Sequence, residues 1–197
     1  MHIITVSCFV VIAYFCGSLS SAIIICKLMH LQDPREVGSK NPGATNVLRI
    51  GGKWAALLVL IADMLKGLLP VLLAKLFRLE GFALGCVAFS AFLGHLYPIF
   101  FKFKGGKGVA TFFGAIFGLS FLAGVAVIAT WIIVALVFRY SSVAALMTAI
   151  LAPIYIAIFT NFGYLIPMLA TLILMVWKHR SNIARLKAGL EDKIKFF

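Results

Sequence analysis

Residues 109–138 read VATFFGAIFGLSFLAGVAVIATWIIVALVF, an apolar run of 30 residues without a charge. As one α-helix this run would be about 45 Å long, at 1.5 Å per residue. The hydrocarbon core of a bilayer is only about 30 Å thick. Glycine and serine between Gly118 and Gly124 are residues that permit a turn. We therefore predict that the run folds back on itself as a helical hairpin and crosses a membrane twice.

The composition of the whole chain agrees with a membrane location. Of its 197 residues, 63% are hydrophobic and 12% are charged, whereas ordinary soluble domains are about 45–50% apolar. Lipid must therefore be the solvent for much of the surface, which makes the chain an integral membrane protein. The formal net charge of +12 does not indicate nucleic-acid binding. The basic residues lie in short gaps between apolar runs, as they do in cytoplasmic loops of membrane proteins.

The other apolar runs complete a prediction of seven spans. Residues 142–177 are again too many for one crossing, and Asn161 and Gly163 predict a turn within them. We predict an all-α integral membrane protein with seven transmembrane helices, folded as a single domain over residues 1–197. The approximate spans are residues 3–26, 54–76, 82–101, 109–120, 122–138, 143–160 and 162–177.

The distribution of lysine and arginine predicts the orientation. With seven spans, nearly all of these cations, from Lys27 to Lys195, lie on one side, and Lys75 and Arg78 lie on the other. By the positive-inside rule, the N-terminus is outside and the C-terminus is cytoplasmic. A single long helix over residues 109–138 would instead place Arg139 outside.

Four polar segments fall on the predicted inner side, and the first is GSKNPGATNVLR, residues 38–49. Its glycines and proline disfavour a simple helix, and a backbone with few side chains lets successive amides converge on an anion. A polar turn with one arginine is the alternative reading. The candidate ligand-binding residues in this segment are Ser39, Asn41, Gly43, Ala44, Thr45, Asn46 and Arg49.

The second segment is FFKFKGGKGVATFFG, residues 100–114. Its glycines lead directly into an apolar helix, so their amides lie at a helix N-terminus, where phosphate is favoured. It is not a Walker A loop, which would need glycine at position 101 and Ser or Thr at position 108. Lysines that only anchor the membrane surface are the alternative. The candidates here are Lys102, Lys104, Gly105, Gly106, Lys107 and Gly108.

The third and fourth segments are shorter signals. In RYSS, residues 139–142, the hydroxyls of Ser141 and Ser142 are candidates for phosphate contact, although Ser142 would equally suit a helix cap. In WKHRSNIARLKAGLE, residues 177–191, His179 and Asn182 share a helix face. An amphipathic tail on anionic lipid is the alternative reading of that segment.

Two features lie within predicted spans. Asp63 and Lys66 are three residues apart, and we favour a structural ion pair between helices because charge within a membrane is costly. His95, near the inner end of the third span, either bonds a carbonyl group or takes part in chemistry.

Acidic residues are scarce on the inner side, and no aspartate cluster there suits Mg²⁺, so we expect no metal and no cofactor. Acyl transfer fits better than metal-dependent phosphotransfer, because it requires donors for an oxyanion and a phosphate, together with a base.

The segments GSKNPGATNVLR, GHLYPIFFKFKGGKGVAT, RYSS and HRSNIARL resemble, in order, the signature segments of PlsY-type acyl-phosphate:glycerol-3-phosphate acyltransferases. The resemblance implies an enzyme of the bacterial cytoplasmic (inner) membrane whose active site faces the cytoplasm. Such an enzyme transfers a fatty acyl group from acyl phosphate to the 1-hydroxyl of sn-glycerol 3-phosphate, forming lysophosphatidic acid and phosphate. Its expected partners are these substrates, membrane lipid and the enzyme that forms acyl phosphate. Lys40 stands where glycine is frequent.

The resemblance also implies a division of roles. The expected catalytic residues are Ser39, Arg49, Lys107, His179 and Asn182. The first three are expected to bind and orient glycerol 3-phosphate, with the other two nearby. Amides around residues 44–45 and 105–108, together with Ser142, are expected to hold acyl phosphate and its developing oxyanion. The base is His179 or a phosphate oxygen of a substrate.

A transporter of a phosphorylated solute is the main alternative, because helix ends and glycine loops also suit anion sites in transporters. The clustering of polar segments at one membrane edge and the lack of a repeat argue against it. A non-catalytic subunit that docks a soluble acyltransferase is a second alternative, although it would not need the glycine loops.

Overall fold

A computed structural model describes residues 2–194 as an all-α bundle, and Lys195 lies outside the described residues. The described chain forms nine α-helices, with short 3₁₀ turns at Ile99–Phe101 and Phe162–Tyr164. The helices are α1 His2–Gly17, α2 Ser21–Leu28, α3 Ala44–Leu76, α4 Gly81–Leu96, α5 Val109–Leu119, α6 Phe121–Phe138, α7 Ser141–Phe159, α8 Leu165–Lys178 and α9 Arg180–Lys187.

Helices α1 and α2 form one candidate span, Ile3–Leu28, which is interrupted around Ser18. This span packs closely on α4 through glycines. A Cβ at Gly17 would lie 2.0 Å from the carbonyl oxygen of Ala91, and one at Gly94 would lie 2.2 Å from that of Tyr14. Only residues without a side chain permit this backbone approach, which is a common way to pack membrane helices.

Helix α3 is longer than the predicted span 54–76, because it begins at Ala44. Part of the GSKNPGATNVLR segment is therefore helical, and only residues 38–43 form an open loop. The helix is broken at Gly52, whose φ of 78° lies in the left-handed region that favours glycine. The break separates a short first part, residues 44–51, from the long apolar part that crosses the bundle.

The run of residues 109–138 is divided at Ser120 into α5 and α6. The two helices lie side by side in opposite directions, since Phe117 contacts Phe121 and Phe113 contacts Trp131, with ring centroids 5.7 and 6.5 Å apart. The Ser120 side chain accepts a hydrogen bond from the amide of Ala123 at the start of α6. The hairpin turn thus lies where the length of the run required one.

Five helical segments are long and apolar enough to cross a membrane, or six if the pair Phe162–Lys178 and Arg180–Lys187, bent by 53°, counts as one span. Helix α5 is apolar but shorter. Side chains on the outside of the bundle require lipid: Ile133, Leu136 and Val137 of α6 are 60%, 60% and 68% exposed. The chain is a multi-pass integral membrane protein.

Helices α3, α5, α7 and α9 begin at the same end of the bundle, which we call the site end. The carbonyl of Leu96 at the end of α4 accepts a hydrogen bond from Lys178 at the end of α8. The end of α6 is joined there to the chain after α9, because Ile194 donates to the carbonyl of Arg139. The four predicted polar segments therefore meet at one end.

Candidate active site

The centre of the site end is a hydrogen-bonded cluster around the Glu191 carboxylate. One oxygen, Oε1, accepts from Ser142 Oγ at 2.7 Å and from Asn182 Nδ2 at 2.6 Å. The other, Oε2, accepts from Arg185 Nε at 2.8 Å. The remaining amide atom of Asn182, Oδ1, accepts from the ammonium group of Lys107. The cluster thus joins the glycine loop to the starts of α7 and α9.

Burial and neighbouring charges shift the pKa values of Lys107 and Glu191 in this cluster. Burial lowers the pKa of Lys107 to about 8; Glu191 acts in the opposite direction, and Arg185 and Arg49 lower it further. Burial alone would raise the pKa of Glu191, but hydrogen bonds from Ser142, Asn182 and Arg185 outweigh it, so that this pKa is lowered. At neutral pH the site therefore holds three cations, Lys107, Arg49 and Arg185, against the two carboxylates of Glu191 and Asp192, which leaves a net positive charge.

His179 follows the end of α8 and is buried, with 3% of its surface exposed. Its Nδ1 lies 2.8 Å from the carbonyl oxygen of Met175. A carbonyl only accepts, so Nδ1 carries the proton and Nε2 keeps its lone pair. Burial, and then the positive charge of Lys107, lower the pKa of His179 to about 4. The imidazole is therefore neutral at pH 7 and can accept a proton from a hydroxyl group.

The start of α3 is organised by Asn46, which is buried. Its Nδ2 donates to the carbonyls of Pro34 and Val37 at 2.9 and 3.0 Å, and its Oδ1 accepts from the amide of Ser39 at 2.9 Å. The Asn46 side chain, a predicted substrate ligand, is therefore occupied with the loop backbone. It fixes the path of residues 38–43, and Ser39 itself is exposed.

The glycine loop is held against the end of α4. The amide of Gly106 donates to the carbonyl of His95 at 3.2 Å. A Cβ at Gly105 would lie 2.0 Å from the same oxygen, so no other residue fits there without moving the backbone. Lys102 and Lys104 are exposed, and neither side chain makes a hydrogen bond or ion pair with any residue in 2–194. Lys107 is thus the lysine of this loop that points into the cluster.

Four helices present their N-termini at the site end, and within the described chain none of them is capped by a side chain. The residues that precede them are Gly43 for α3, Gly108 for α5, Tyr140 for α7 and His179 for α9. At the opposite end α6 is capped by Ser120, whereas α4 and α8 begin there without a side-chain cap. Helix N-termini carry partial positive charge and free amides, which suit an anion. Ser142 does not cap α7, since its hydroxyl donates to Glu191.

The predicted residues fall into three groups. Lys107, Ser142, His179 and Asn182 are brought together, and Arg49 joins them through an ion pair with Asp192, at 2.9 Å from Nη1 to Oδ2. Residues of the first loop and the start of α3 lie beside them, because a Cβ at Gly106 would lie 2.8 Å from the carbonyl of Pro42. Those residues are Ser39, Asn41, Gly43, Ala44 and Thr45. Ser141 is the first residue of α7, and Lys102 and Lys104 lie at the rim.

Sequence reasoning missed Glu191, Asp192 and Arg185 as members of the site. It counted the two acids only among the few on the inner side. The available signal was that Glu191 closes the fourth polar segment, WKHRSNIARLKAGLE. The predicted ion pair of Asp63 and Lys66 is confirmed, but it lies within α3 and not between helices.

No group of three or more His, Cys, Asp or Glu residues that could hold a metal ion occurs among residues 2–194. Helix N-termini and the half-buried Lys107 converge at the site end, an arrangement that suits an anion. The chain is, by class, a helical membrane protein with a candidate anion site beside a neutral histidine.

Comparison with known proteins identifies the family. Residues 7–189 match the family model described as glycerol-3-phosphate acyltransferase, and the chain belongs to that family. A glycerol-3-phosphate acyltransferase of Coxiella burnetii (strain RSA 493 / Nine Mile phase I) is 55% identical over 94% of this chain and 96% of its own. One from Actinobacillus pleuropneumoniae serotype 5b (strain L20) is 54% identical over 96% of each chain.

Two solved structures have the same fold. The crystal structure of PlsY (YgiH), an integral membrane glycerol 3-phosphate acyltransferase, in its glycerol 3-phosphate form has a TM-score of 0.91 and 37% identity, and covers 96% of each chain. Its lysophosphatidic acid form has a TM-score of 0.88 and 35% identity, over 96% of this chain and 95% of that one. The chain is therefore an acyltransferase, and the transporter alternative is set aside.

Proposed function

We propose that this enzyme transfers an acyl group from acyl phosphate to the 1-hydroxyl of sn-glycerol 3-phosphate and releases lysophosphatidic acid and phosphate. The observation that carries the proposal is the convergence of Lys107, Asn182 and four uncapped helix N-termini beside a neutral His179. Two substrates that each bear a phosphate need two sets of anion donors. The loop before α3 and the glycine loop provide them side by side.

Glycerol 3-phosphate is held, in this proposal, by Ser39, Arg49, Lys107 and Asn182. Lys107 already donates to Asn182, so a phosphate near this pair finds a cation and an amide in fixed positions. Arg49 is 39% exposed and pairs with the exposed carboxylate of Asp192. Because such an exposed pair is weak, a substrate phosphate can replace that carboxylate.

Acyl phosphate is held by amides at the starts of α3 and α5, together with Ser142. Backbone donors aimed at the carbonyl oxygen would stabilise the negative charge that develops on it. Glu191 acts as a positioning residue, because its hydrogen bonds fix the hydroxyl of Ser142 and the amide of Asn182.

In the reaction, the 1-hydroxyl oxygen forms a bond to the acyl carbon, and the bond between that carbon and the phosphate oxygen breaks. The hydroxyl proton passes to Nε2 of His179 or to a phosphate oxygen, and phosphate leaves. Phosphate is a good leaving group, so no acyl-enzyme intermediate is needed. A trapped acyl-serine would contradict this scheme.

We also propose seven spans, with α5 as the shortest, an outer N-terminus and a cytoplasmic site end in a bacterial inner membrane. Helix α5 runs alongside α3 over its whole length, since Gly67 packs on Thr111 and Gly118 packs on Val71. The lysines and arginines concentrated at the site end support a cytoplasmic location for it. The enzyme that supplies acyl phosphate remains a predicted partner.

The experiment that tests this function measures phosphate release by purified protein in detergent, with acyl phosphate and glycerol 3-phosphate. We expect turnover only with both substrates, and its loss in Lys107→Ala. The matched control is Lys187→Ala, which removes an exposed lysine of α9. Equal turnover in both variants would contradict the role of Lys107, and no turnover in folded wild type would contradict the proposed donor.

A further inference from the structure

A buried polar network lies behind the glycine loop, inside the helix bundle. Asp63, Lys66 and His95 are each less than 9% exposed. Lys66 Nζ lies 2.8 Å from Asp63 Oδ1, and Nδ1 of His95 lies 3.6 Å from the same oxygen. Charged groups at this depth are costly and are usually retained for a task. The roles assigned above do not use them.

The network connects three helices, α3, α4 and α5, with the break between α1 and α2. Lys66 donates to the carbonyl of Leu19 at 2.7 Å, in the break between α1 and α2. Thr111 Oγ1 of α5 lies 3.2 Å from Nδ1 of His95. The Nδ1 edge of the His95 ring on α4 therefore faces Thr111 of α5 at hydrogen-bond distance and, slightly farther away, the Asp63 carboxylate of α3.

The other edge of the His95 ring faces the glycine loop. A Cβ at Gly106 would lie 2.4 Å from Nε2 of His95 and 2.8 Å from the carbonyl oxygen of Pro42. Gly106 is thus enclosed between this ring and the loop that precedes α3. Its amide also bonds the His95 carbonyl, at 3.2 Å. The orientation of this one side chain consequently sets the position of the residue next to Lys107.

We propose that Asp63 and His95 are positioning residues for acyl transfer: Asp63 orients the His95 ring, and the ring fixes the glycine loop that carries Lys107. This inference rests on the proposed function, since it concerns the same phosphate site. A purely structural ion pair would need only Asp63 and Lys66. It would not need a histidine ring between that pair and the loop.

The first test variant is the double replacement Asp63→Asn with Lys66→Met. It removes both charges together and leaves no unpaired buried charge, which is the usual reason that such variants unfold. We expect a folded protein in which the inhibition constant of inorganic phosphate and the KM for glycerol 3-phosphate rise roughly tenfold, because small misplacements of a binding group are expensive. The kcat should change much less than the KM.

The second variant is Thr111→Val, which removes one hydrogen bond to His95 with little change of shape or charge. We expect a smaller rise in the same two constants, about threefold, with at most a small decrease in the unfolding temperature. The control is Ser90→Ala, which removes a buried hydrogen bond from α4 to the Val10 carbonyl, away from the loop. Ser90→Ala should leave both constants unaltered.

Wild-type kinetics in a folded double variant and in Thr111→Val would overturn the positioning role and leave a structural ion pair. If the double variant does not fold, wild-type constants in Thr111→Val alone would overturn the positioning role, and raised constants would support it. A wild-type enzyme without turnover in the same preparation would instead contradict the proposed function.

Discussion

Replacing Glu191 with glutamine changes the electrostatic balance at Lys107 in a predictable direction. Burial lowers the pKa of Lys107 to about 8, and the Glu191 carboxylate is the group that opposes this decrease. Glutamine removes that charge and leaves Arg49 and Arg185 in place. The pKa of Lys107 must therefore fall further. A nearby opposite charge shifts a pKa by about 1–3 units, so we expect a fall of roughly one unit, at the low end because Asn182 lies between the two groups.

The consequence for activity follows from the charge that binds phosphate. Lys107 binds as a cation, so kcat/KM is high below its pKa and falls as the pH rises through it. In the wild type this alkaline limb lies near pH 8. A fall of one unit in the pKa of Lys107 corresponds to a loss of about 1.4 kcal/mol in the relative stability of its protonated form. At pH 8 the protonated fraction of Lys107 then decreases from about one half to about one tenth.

The assay is phosphate release at low glycerol 3-phosphate from pH 5.5 to 10, because kcat/KM reports the free enzyme. Glutamine also places an NH₂ group among donors and lowers the plateau, but the position of the limb is independent of the plateau. Glu80→Gln, at the opposite end of the bundle, should keep the wild-type limb. In Lys107→Arg the limb should disappear, since guanidinium does not titrate in this range. An unchanged or more alkaline limb in Glu191→Gln would show that the Glu191 carboxylate does not raise the pKa of Lys107.

Three further perturbations have definite expected results. Asp192→Asn frees Arg49 from an exposed ion pair, worth about 0–1 kcal/mol, so the KM for glycerol 3-phosphate should fall by at most about fivefold; a rise in initial-rate measurements would contradict this. The pKa of His179 is lowered in the folded protein, so its stabilising effect is complete above pH 6.5 and is lost as the pH falls towards 4. Thermal unfolding should show this loss in the wild type and not in His179→Gln. Gly106→Ala would place a Cβ 2.4 Å from the His95 ring, and isothermal titration with inorganic phosphate should show weaker binding; unaltered affinity would mean that the loop adapts.

The membrane fold could be predicted from the sequence because the thickness of the bilayer limits the length of every span. The run of residues 109–138 was too long for one crossing, and the observed break at Ser120 lies between the two glycines that permitted a turn. The start of α3 was harder to predict. Glycine and proline lower local helix propensity, but the helix begins directly after Gly43 and is broken at Gly52 instead.

The site was predicted only in the parts that local chemistry marks. Lys107 and the adjacent Gly105, Gly106 and Gly108 predict an anion site through their residue types and spacing. In the sequence Glu191 and Asp192 have no feature that distinguishes them from surface acids. Only the fold places Glu191 beside Ser142 and Asp192 beside Arg49. Such long-range contacts depend on tertiary packing, which no local pattern specifies.

The central claim is the identity of the acyl donor and of the products. The direct measurement incubates purified wild-type protein in detergent with glycerol 3-phosphate and either acyl phosphate or acyl-CoA. It then quantifies lysophosphatidic acid by mass spectrometry and released phosphate in the same sample. We predict equimolar lysophosphatidic acid and phosphate from acyl phosphate, and neither product when glycerol 3-phosphate is omitted. Lysophosphatidic acid formed from acyl-CoA alone, or phosphate released without an acceptor, would contradict it.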